Sequence, residues 1–156
     1  RELFLARAAQ KGGEEPRWRV LRSLSTQHGA PAPRLPLFFT KSSASQSAGL
    51  AFLKRAKVRR EDRDTDNGGA VTDPQAKALI TWCATPDPEH AILRAIRQPA
   101  LVVSGNHDTM LPADNAYAMF KALTNAQLIL YPDSGHGALF QYHELFVSHV
   151  RTFLEA

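Results

Sequence analysis

The stretch "PALVVSGNHDTMLPADNAYAMFKALTNAQLILYPDSGHGALF", Pro99 to Phe140, decides the fold. Two apolar runs in it, "ALVVS" and "AQLILY", are bounded by turn-forming residues and predict short buried strands. Between them "ADNAYAMFKAL" predicts a helix with Asp114 as its N-cap, and "LFQYHELFVSHVRTFLEA" predicts a closing amphipathic helix. This order predicts the α/β class, with two parallel strands joined by a right-handed crossover.

The same connectivity brings two loops, "GNHDTMLP" and "PDSGHGA", to the carboxyl edge of the sheet, where α/β proteins build their sites. Neighbouring strands lie ~5 Å apart. We therefore expect Asp108 and His136 to meet, although 28 positions separate them. A carboxylate beside an imidazole fixes its tautomer through Nδ1 and leaves Nε2 free to take and return a proton. Gly135 and Gly137 predict a tight turn that presents the imidazole ring.

From Gln98 onward these residues resemble the last two strands and helices of the α/β-hydrolase superfamily. In that family the catalytic acid follows the penultimate strand in a G-x-x-D-x-x-x-P context, which Gly105 to Pro112 match, and the catalytic histidine follows the last strand in a G-H turn. The resemblance implies that Asp108 and His136 are catalytic. It also implies hydrolysis of an ester or other acyl bond of a small-molecule substrate, with no metal or cofactor.

Residues 1–97 follow a different pattern, of short helices and loops with one candidate strand at Leu37 to Phe39. They loosely resemble the helical cap that this family inserts before its last strands. We therefore expect two parts, a cap or lid-like segment at 1–97 and the C-terminal part of the hydrolase core at 98–156. The candidates for an apolar substrate-binding wall, with packing inside the cap as the alternative, are Phe38, Phe39 and Trp82.

The nucleophile of the family normally sits on a G-x-S-x-G elbow that precedes the cap. No such motif occurs in this sequence. The nearest match, "SQSAG" around Ser47, begins with Ser45 in place of glycine and continues a helical pattern from Ala44 to Arg60. Ser47 is therefore predicted to be a surface helix residue. The chain also begins at Arg1, inside a helical pattern, so we expect a fragment that lacks the nucleophile and the oxyanion hole.

Two other readings stay open. "GNHD" also resembles the Gly-Asn-His-Asp motif of binuclear metallophosphoesterases, in which Asn106 and His107 would be metal ligands. The companion D-x-H, G-D-x-x-D and G-H-x-H motifs of that family do not occur here. Alternatively, a hydrolase fold without a nucleophile can serve as a non-catalytic binding protein.

Composition excludes several other classes. The charge is divided, with 14 Lys and Arg against 5 Asp and Glu in residues 1–63 and 5 against 10 in residues 64–156. The basic run "KRAKVRREDR" has no interleaved aromatic residues and runs directly into acidic ones, so we expect a solvated helix end and no nucleic-acid partner. No apolar run approaches the ~20 residues of a membrane helix. We expect a cytoplasmic protein, and Cys83 alone forms no internal disulfide.

Overall fold

The computed structural model describes residues 34–62, 70–84 and 88–156. The helices predicted before residue 34 lie outside these ranges. Trp82 lies within helix α3, but its side chain is not among the described parts of the structure. In chain order the described elements are α1 (Arg34–Phe38), α2 (Ser43–Ala56), α3 (Thr72–Ala84), a 3₁₀ turn (Pro88–His90), α4 (Ala91–Arg94), β1 (Ala100–Gly105), α5 (Ala113–Ala122), β2 (Ala126–Tyr131), α6 (Ala138–Gln141) and α7 (His143–Leu154).

The two strands form the parallel pair that the sequence predicts. Their register runs from Ala100 opposite Ala126 to Gly105 opposite Tyr131, so both strands end at the same level. Helix α5 joins them and packs against both strands. Its N-cap is Pro112, and the expected capping role of Asp114 is wrong, because that residue lies inside the first turn without a side-chain cap bond. The loops that follow the strands therefore start side by side.

The closing helix differs from its prediction because it is broken at Tyr142. The backbone there has φ −106° and ψ 36°, which separates α6 from α7. The Tyr142 hydroxyl donates to the Pro132 carbonyl at 2.9 Å, and its ring stacks on that of Tyr131 at 5.0 Å. The Tyr131 hydroxyl in turn bonds to His149 Nδ1 at 2.9 Å, and burial raises the pKa of Tyr131. These contacts fasten the closing segment to the end of β2.

The candidate strand at Leu37 to Phe39 is wrong, because this segment is the end of α1. Phe39 N donates to the Leu35 carbonyl at 3.0 Å, which continues the helical turn. The reason is packing, which overrides the strand preference of two phenylalanines. A cluster of aromatic rings forms there, with centroids 4.5 to 6.4 Å apart: Phe38, Phe39, Phe52 and Phe140.

Helix α2 lies close to its predicted position but ends early. Ser42 is its N-cap and accepts from Ser45 N at 3.0 Å. The helix ends at Ala56, four residues before the expected end at Arg60, and the basic residues from Lys57 to Arg60 are exposed. The prediction of a solvated basic end is thus confirmed for residues 54–62. Ser47 is exposed on this helix, as predicted.

Helix α3 begins at Thr72, one residue before the Asp73-Pro74 pair, which typically marks an N-cap and the first helical position, so Asp73 lies inside the first turn and is not the N-cap. The 3₁₀ turn and α4 then lead into β1, with Leu93 buried at 5% exposure. In the three described ranges, no helix combines the length and the apolar character needed to cross a membrane.

Candidate active site

Asp108 lies in the loop after β1, and its own loop holds it in place. One carboxylate oxygen, Oδ1, accepts the backbone N–H groups of Met110 and Leu111, both at 2.8 Å. A short side chain that bonds to backbone two and three residues ahead is the Asx geometry typical of such turns. Because Oδ1 is taken by these two donors, the second oxygen is directed elsewhere.

That second oxygen, Asp108 Oδ2, lies 2.9 Å from His136 Nδ1. The structure thus brings together the two residues that the strand register pairs. The Asp108 side chain is 6% exposed and that of His136 is 28% exposed, so the carboxylate is covered while the imidazole is partly accessible. Because a carboxylate accepts and does not donate, Nδ1 carries the hydrogen, and the lone pair of Nε2 is available for a proton.

The His136 loop is anchored to the end of α1. His136 N donates to the Leu37 carbonyl at 3.1 Å, and Gly137 N donates to the Phe38 carbonyl at 2.9 Å. A Cβ at Gly135 would lie 2.8 Å from the Leu37 oxygen, and one at Gly137 would lie 2.6 Å from Phe38 Cβ. The glycines are therefore needed because two backbones approach closely. The predicted tight turn around His136 is present, since Ala138 N donates to the Gly135 carbonyl at 3.2 Å, but Gly137 has φ −92° and does not need glycine for a left-handed backbone.

The two loops also bond directly to each other. His107 N donates to the Ser134 carbonyl at 2.9 Å, and Asn106 N donates to the Tyr131 carbonyl at the same distance. These bonds extend the pairing of the strands past their ends. Any Cβ at Gly105 would collide with the Ser134 and Gly135 carbonyl oxygens, so only glycine fits at this crossing.

The candidate wall residues have different surroundings. Phe38 lies beside the imidazole, with its ring centroid 5.7 Å from that of His136. Phe39 is 2% exposed and packs inside the aromatic cluster. A mostly apolar groove of about 450 Å³ runs along β1 and α5 and reaches both Asp108 and His136. Asn115 also lines it, and the Asn115 Nδ2 atom is buried with no hydrogen-bond partner in the described part of the chain.

Asn106 and His107, the residues of the metal hypothesis, are exposed, and Asn106 Oδ1 lies 2.5 Å from His107 Nδ1. Across residues 34–62, 70–84 and 88–156, no group of three or more His, Cys, Asp or Glu side chains is placed to hold a metal ion.

One polar residue near the site was not singled out from the sequence. Asp133 lies three positions before His136, and its pKa is lowered by hydrogen bonds from the hydroxyls of Ser42 and Thr40. In the sequence it reads only as a turn residue of "PDSG", because its partners are more than 90 positions away.

The parallel strands, the crossover helix and the paired Asp108 and His136 are features of the α/β-hydrolase fold, and comparisons with known proteins agree. Residues 71–156 match the model of a family described as TAP-like protein, and the chain belongs to this family of α/β-hydrolases. The match begins inside the segment 1–97 and continues to the last residue.

Individual relatives give the same result. A solved α/β-hydrolase fold protein from Chitinophaga pinensis is 38% identical, with a TM-score of 0.80 over 90% of this chain and 50% of that one. The pimeloyl-[acyl-carrier protein] methyl ester esterase of Nitrosomonas europaea is 31% identical over 106 residues, which are 68% of this chain and 38% of that protein. The esterase RhEst1 from Rhodococcus sp. ECU1013, at 18% identity and a TM-score of 0.52 over 96% of this chain and 47% of that one, shares the fold alone. The chain thus spans half or less of the length of each.

Proposed function

We propose that this chain supplies the acid and the histidine of a nucleophile–histidine–acid triad in a hydrolase that cleaves an ester or other acyl bond of a small molecule. The observation that carries the proposal is the 2.9 Å contact between His136 Nδ1 and Asp108 Oδ2. It has the geometry of the orienting contact in a triad, with the carboxylate covered and the imidazole partly accessible.

In the proposed reaction, His136 Nε2 takes the proton of the nucleophile as that atom attacks the acyl carbon. The imidazolium that forms is stabilised by the Asp108 carboxylate and then gives its proton to the leaving group. Water attacks the acyl-enzyme in a second cycle with the same proton transfers. Asp108 stays ionised throughout and acts by holding the ring and its charge.

The nucleophile and the oxyanion-hole donors come, in this proposal, from the full-length protein that carries the chain. The chain has no G-x-S-x-G motif, and it spans 50% of the solved Chitinophaga relative. Ser47 does not fill the role, because it is exposed on the side of α2. We retain the division into a cap segment at 1–97 and core at 98–156 as part of this proposal.

The acyl substrate class is supported by the name of the Nitrosomonas relative, a methyl ester esterase. Phe38 is the candidate wall residue that we favour, because its ring centroid lies 5.7 Å from that of His136, although it does not line the apolar groove.

The test is hydrolysis of p-nitrophenyl esters by the full-length protein, with and without EDTA. The expected result is turnover that chelation does not change and that His136→Ala abolishes while the variant keeps the wild-type circular dichroism spectrum. This chain expressed alone is expected to match a denatured control, since a dyad has no atom to form an acyl-enzyme. Turnover lost on chelation and restored by Mn²⁺ would instead favour the metallophosphoesterase hypothesis. A folded full-length protein with no turnover on any ester would favour a binding protein.

A further inference from the structure

Asp133 has a left-handed backbone at the start of the His136 loop. Its φ is 43°, in the region that glycine favours and that Asp and Asn tolerate better than other side chains. The side chain of Asp133 is fixed by contacts with a distant part of the chain. The contacts around Asp133 therefore show what fixes the loop.

Both oxygens of the Asp133 carboxylate are held by the turn that precedes α2. Thr40 Oγ1 donates to Oδ1 and Ser42 Oγ donates to Oδ2, each at 2.5 Å. The donors stand 93 and 91 positions away along the chain. Because a hydroxyl bonded to a carboxylate makes a charge-assisted hydrogen bond, this is a strong and directional attachment.

The backbone of Asp133 is held as well. Gln141 Nε2 donates to its carbonyl at 2.8 Å, and Gln141 Oε1 accepts from Ser45 Oγ at 2.7 Å. Ser45 is fully buried, and its Oγ also accepts from Thr40 N at 2.9 Å. These bonds form one connected polar network, the Asp133 clamp, composed of Thr40, Ser42, Ser45, Asp133 and Gln141.

The clamp is close to His136 in the chain, and its hydrogen bonds join Thr40, Ser42, Ser45, Asp133 and Gln141 without including the imidazole. Two residues, Ser134 and Gly135, separate Asp133 from His136, and the Ser134 carbonyl is bonded to His107 N of the other loop. The loop is thus held at Asp133 by the clamp and at Ser134 by the loop of Asp108. His136 follows these two attachments after one intervening residue, Gly135.

We propose that Asp133 is a positioning residue, which through Thr40 and Ser42 sets the place of the His136 loop and so the contact between His136 Nδ1 and Asp108. This inference rests on the proposed function. The chemistry requires the imidazole within a narrow range, since a displacement of about 1 Å at a reacting group can cost on the order of 10²-fold in rate. Without the two hydroxyl bonds the first residue of the loop would lose its side-chain anchor, and the backbone bonds at Ser134, His136 and Gly137 would have to hold the imidazole in place.

The test is steady-state kinetics on the full-length protein, with Asp133→Asn as the main variant. Because the amide lacks the charge and one acceptor oxygen, we expect kcat to fall about tenfold or more, with KM little changed. Two variants of Thr40 separate loss of the hydrogen bond from loss of the fold. Thr40→Val, which removes the hydroxyl, is expected to lower kcat, while Thr40→Ser, which keeps the hydroxyl, is expected to retain the wild-type value. Ser47→Ala, which removes an exposed hydroxyl from α2, is the matched control.

A spectroscopic readout that needs no turnover completes the test. The Nδ1 proton of His136, held against a carboxylate, should give a low-field resonance in the wild type that His136→Ala removes. Asp133→Asn and Thr40→Val are expected to broaden it or move it upfield. In the double variant Asp133→Asn with Thr40→Val, the two losses in kcat should be far from additive, since both substitutions break the same contact.

The outcomes separate the two proposals. If His136→Ala keeps esterase activity, the proposed function fails, whatever the clamp does to the resonance. If His136→Ala is inactive but Asp133→Asn keeps both kcat and the low-field resonance, the positioning role is overturned. If Asp133→Asn does not fold, the pair Thr40→Val and Thr40→Ser decides, and equal kcat for the two overturns the inference.

Discussion

The two loops that meet at the Asp108 and His136 contact are held in opposite ways. The loop of Asp108 is fixed from within, by backbone N–H groups two and three residues ahead of the carboxylate. The loop of His136 is fixed from a distance, by the carbonyls of Leu37 and Phe38 and by the clamp on Asp133. Apart from the bonds that join the two loops, one loop is held by its own residues, and the other is held by the end of α1 and the turn before α2, nearly 100 positions upstream.

This difference predicts which substitutions disturb each half of the site. Changes near Asp108 act on bonds that a few neighbouring residues make with one another. Changes as far away as α1 and the start of α2 act on His136, because that segment supplies four acceptors or donors to its loop. A segment expected to be a cap is thus also a support of the site.

The largest expected effect comes from the contact that both loops share. In the full-length protein, Asp108→Asn should lower kcat by up to ~10⁴, by analogy with the loss seen when a triad carboxylate becomes an amide. The amide removes the negative charge that stabilises the imidazolium and can hold the wrong tautomer. The measurement is kcat on a p-nitrophenyl ester.

Asp114→Asn is the matched control, because it removes an exposed carboxyl from the first turn of α5. It should turn over at the wild-type rate. Full activity of Asp108→Asn would remove this residue from the mechanism. The contact between the two loops would then have no role in catalysis.

A smaller effect is expected from the remote attachment. Gly137→Ala puts a Cβ 2.6 Å from Phe38 Cβ and 3.0 Å from the Phe38 carbonyl oxygen, so one backbone has to move. The bond from Gly137 N to that carbonyl is then strained or lost. We expect a loss of about 1–3 kcal/mol in the free energy of unfolding, in the range of overpacking and lost hydrogen bonds. We also expect kcat to fall at least tenfold, since the imidazole moves with the loop.

Gly49→Ala provides a comparison within α2. Its Cβ would lie 2.7 Å from Leu35 Cδ2 and 2.9 Å from Phe39 Cδ2, which are side-chain atoms, and no backbone lies among its nearest contacts. Alanine also favours a helix by about 1 kcal/mol over glycine, which offsets part of the crowding. This variant should keep kcat. Equal kcat losses for both variants would show that crowding anywhere in the segment disturbs the site, and that the attachment of the loop is not special.

Sequence reasoning predicted what depends on local pattern. The strands are apolar runs with turn residues at each end, and their parallel register then brings Asp108 to His136, as observed. Chain connectivity alone fixes which edge of the sheet the two loops share. The fold class and the pairing of these side chains were therefore accessible without a structure.

The predictions that failed concern features that depend on packing between residues far apart in the sequence. Leu37 to Phe39 has the composition of a strand, but its rings pack with Phe52 and Phe140, and the backbone is helical. The break at Tyr142 arises from contacts with Tyr131 and Pro132 that no helical periodicity reveals. Asp133 and its hydroxyl donors each look like ordinary turn or capping residues. Only their meeting in space shows the clamp.

The smallest expected effect is a pH dependence that isolates the charge of Asp133. Hydrogen bonds from Ser42 and Thr40, in that order, lower the pKa of this carboxyl from its ordinary value of 3.8, and the nearby His107 adds to the lowering. Because the pKa in the folded state lies below that in the unfolded state, the ionised clamp stabilises the fold above about pH 4. This contribution is lost as the pH falls through the lowered pKa.

Melting temperatures of the full-length protein between pH 6 and pH 2 should therefore differ between wild type and Asp133→Asn. The difference should be constant at the upper end of this range and should close at the lower end. Glu155→Gln, which removes an exposed carboxyl after α7, measures the change due to charge number alone. A gap that persists unchanged to pH 2 would mean that Asp133 holds the loop by shape and hydrogen-bond count, without help from its charge. The His136 loop would then resemble the Asp108 loop more closely, because the positions of its hydrogen-bond acceptors, and not a charge, would set its geometry.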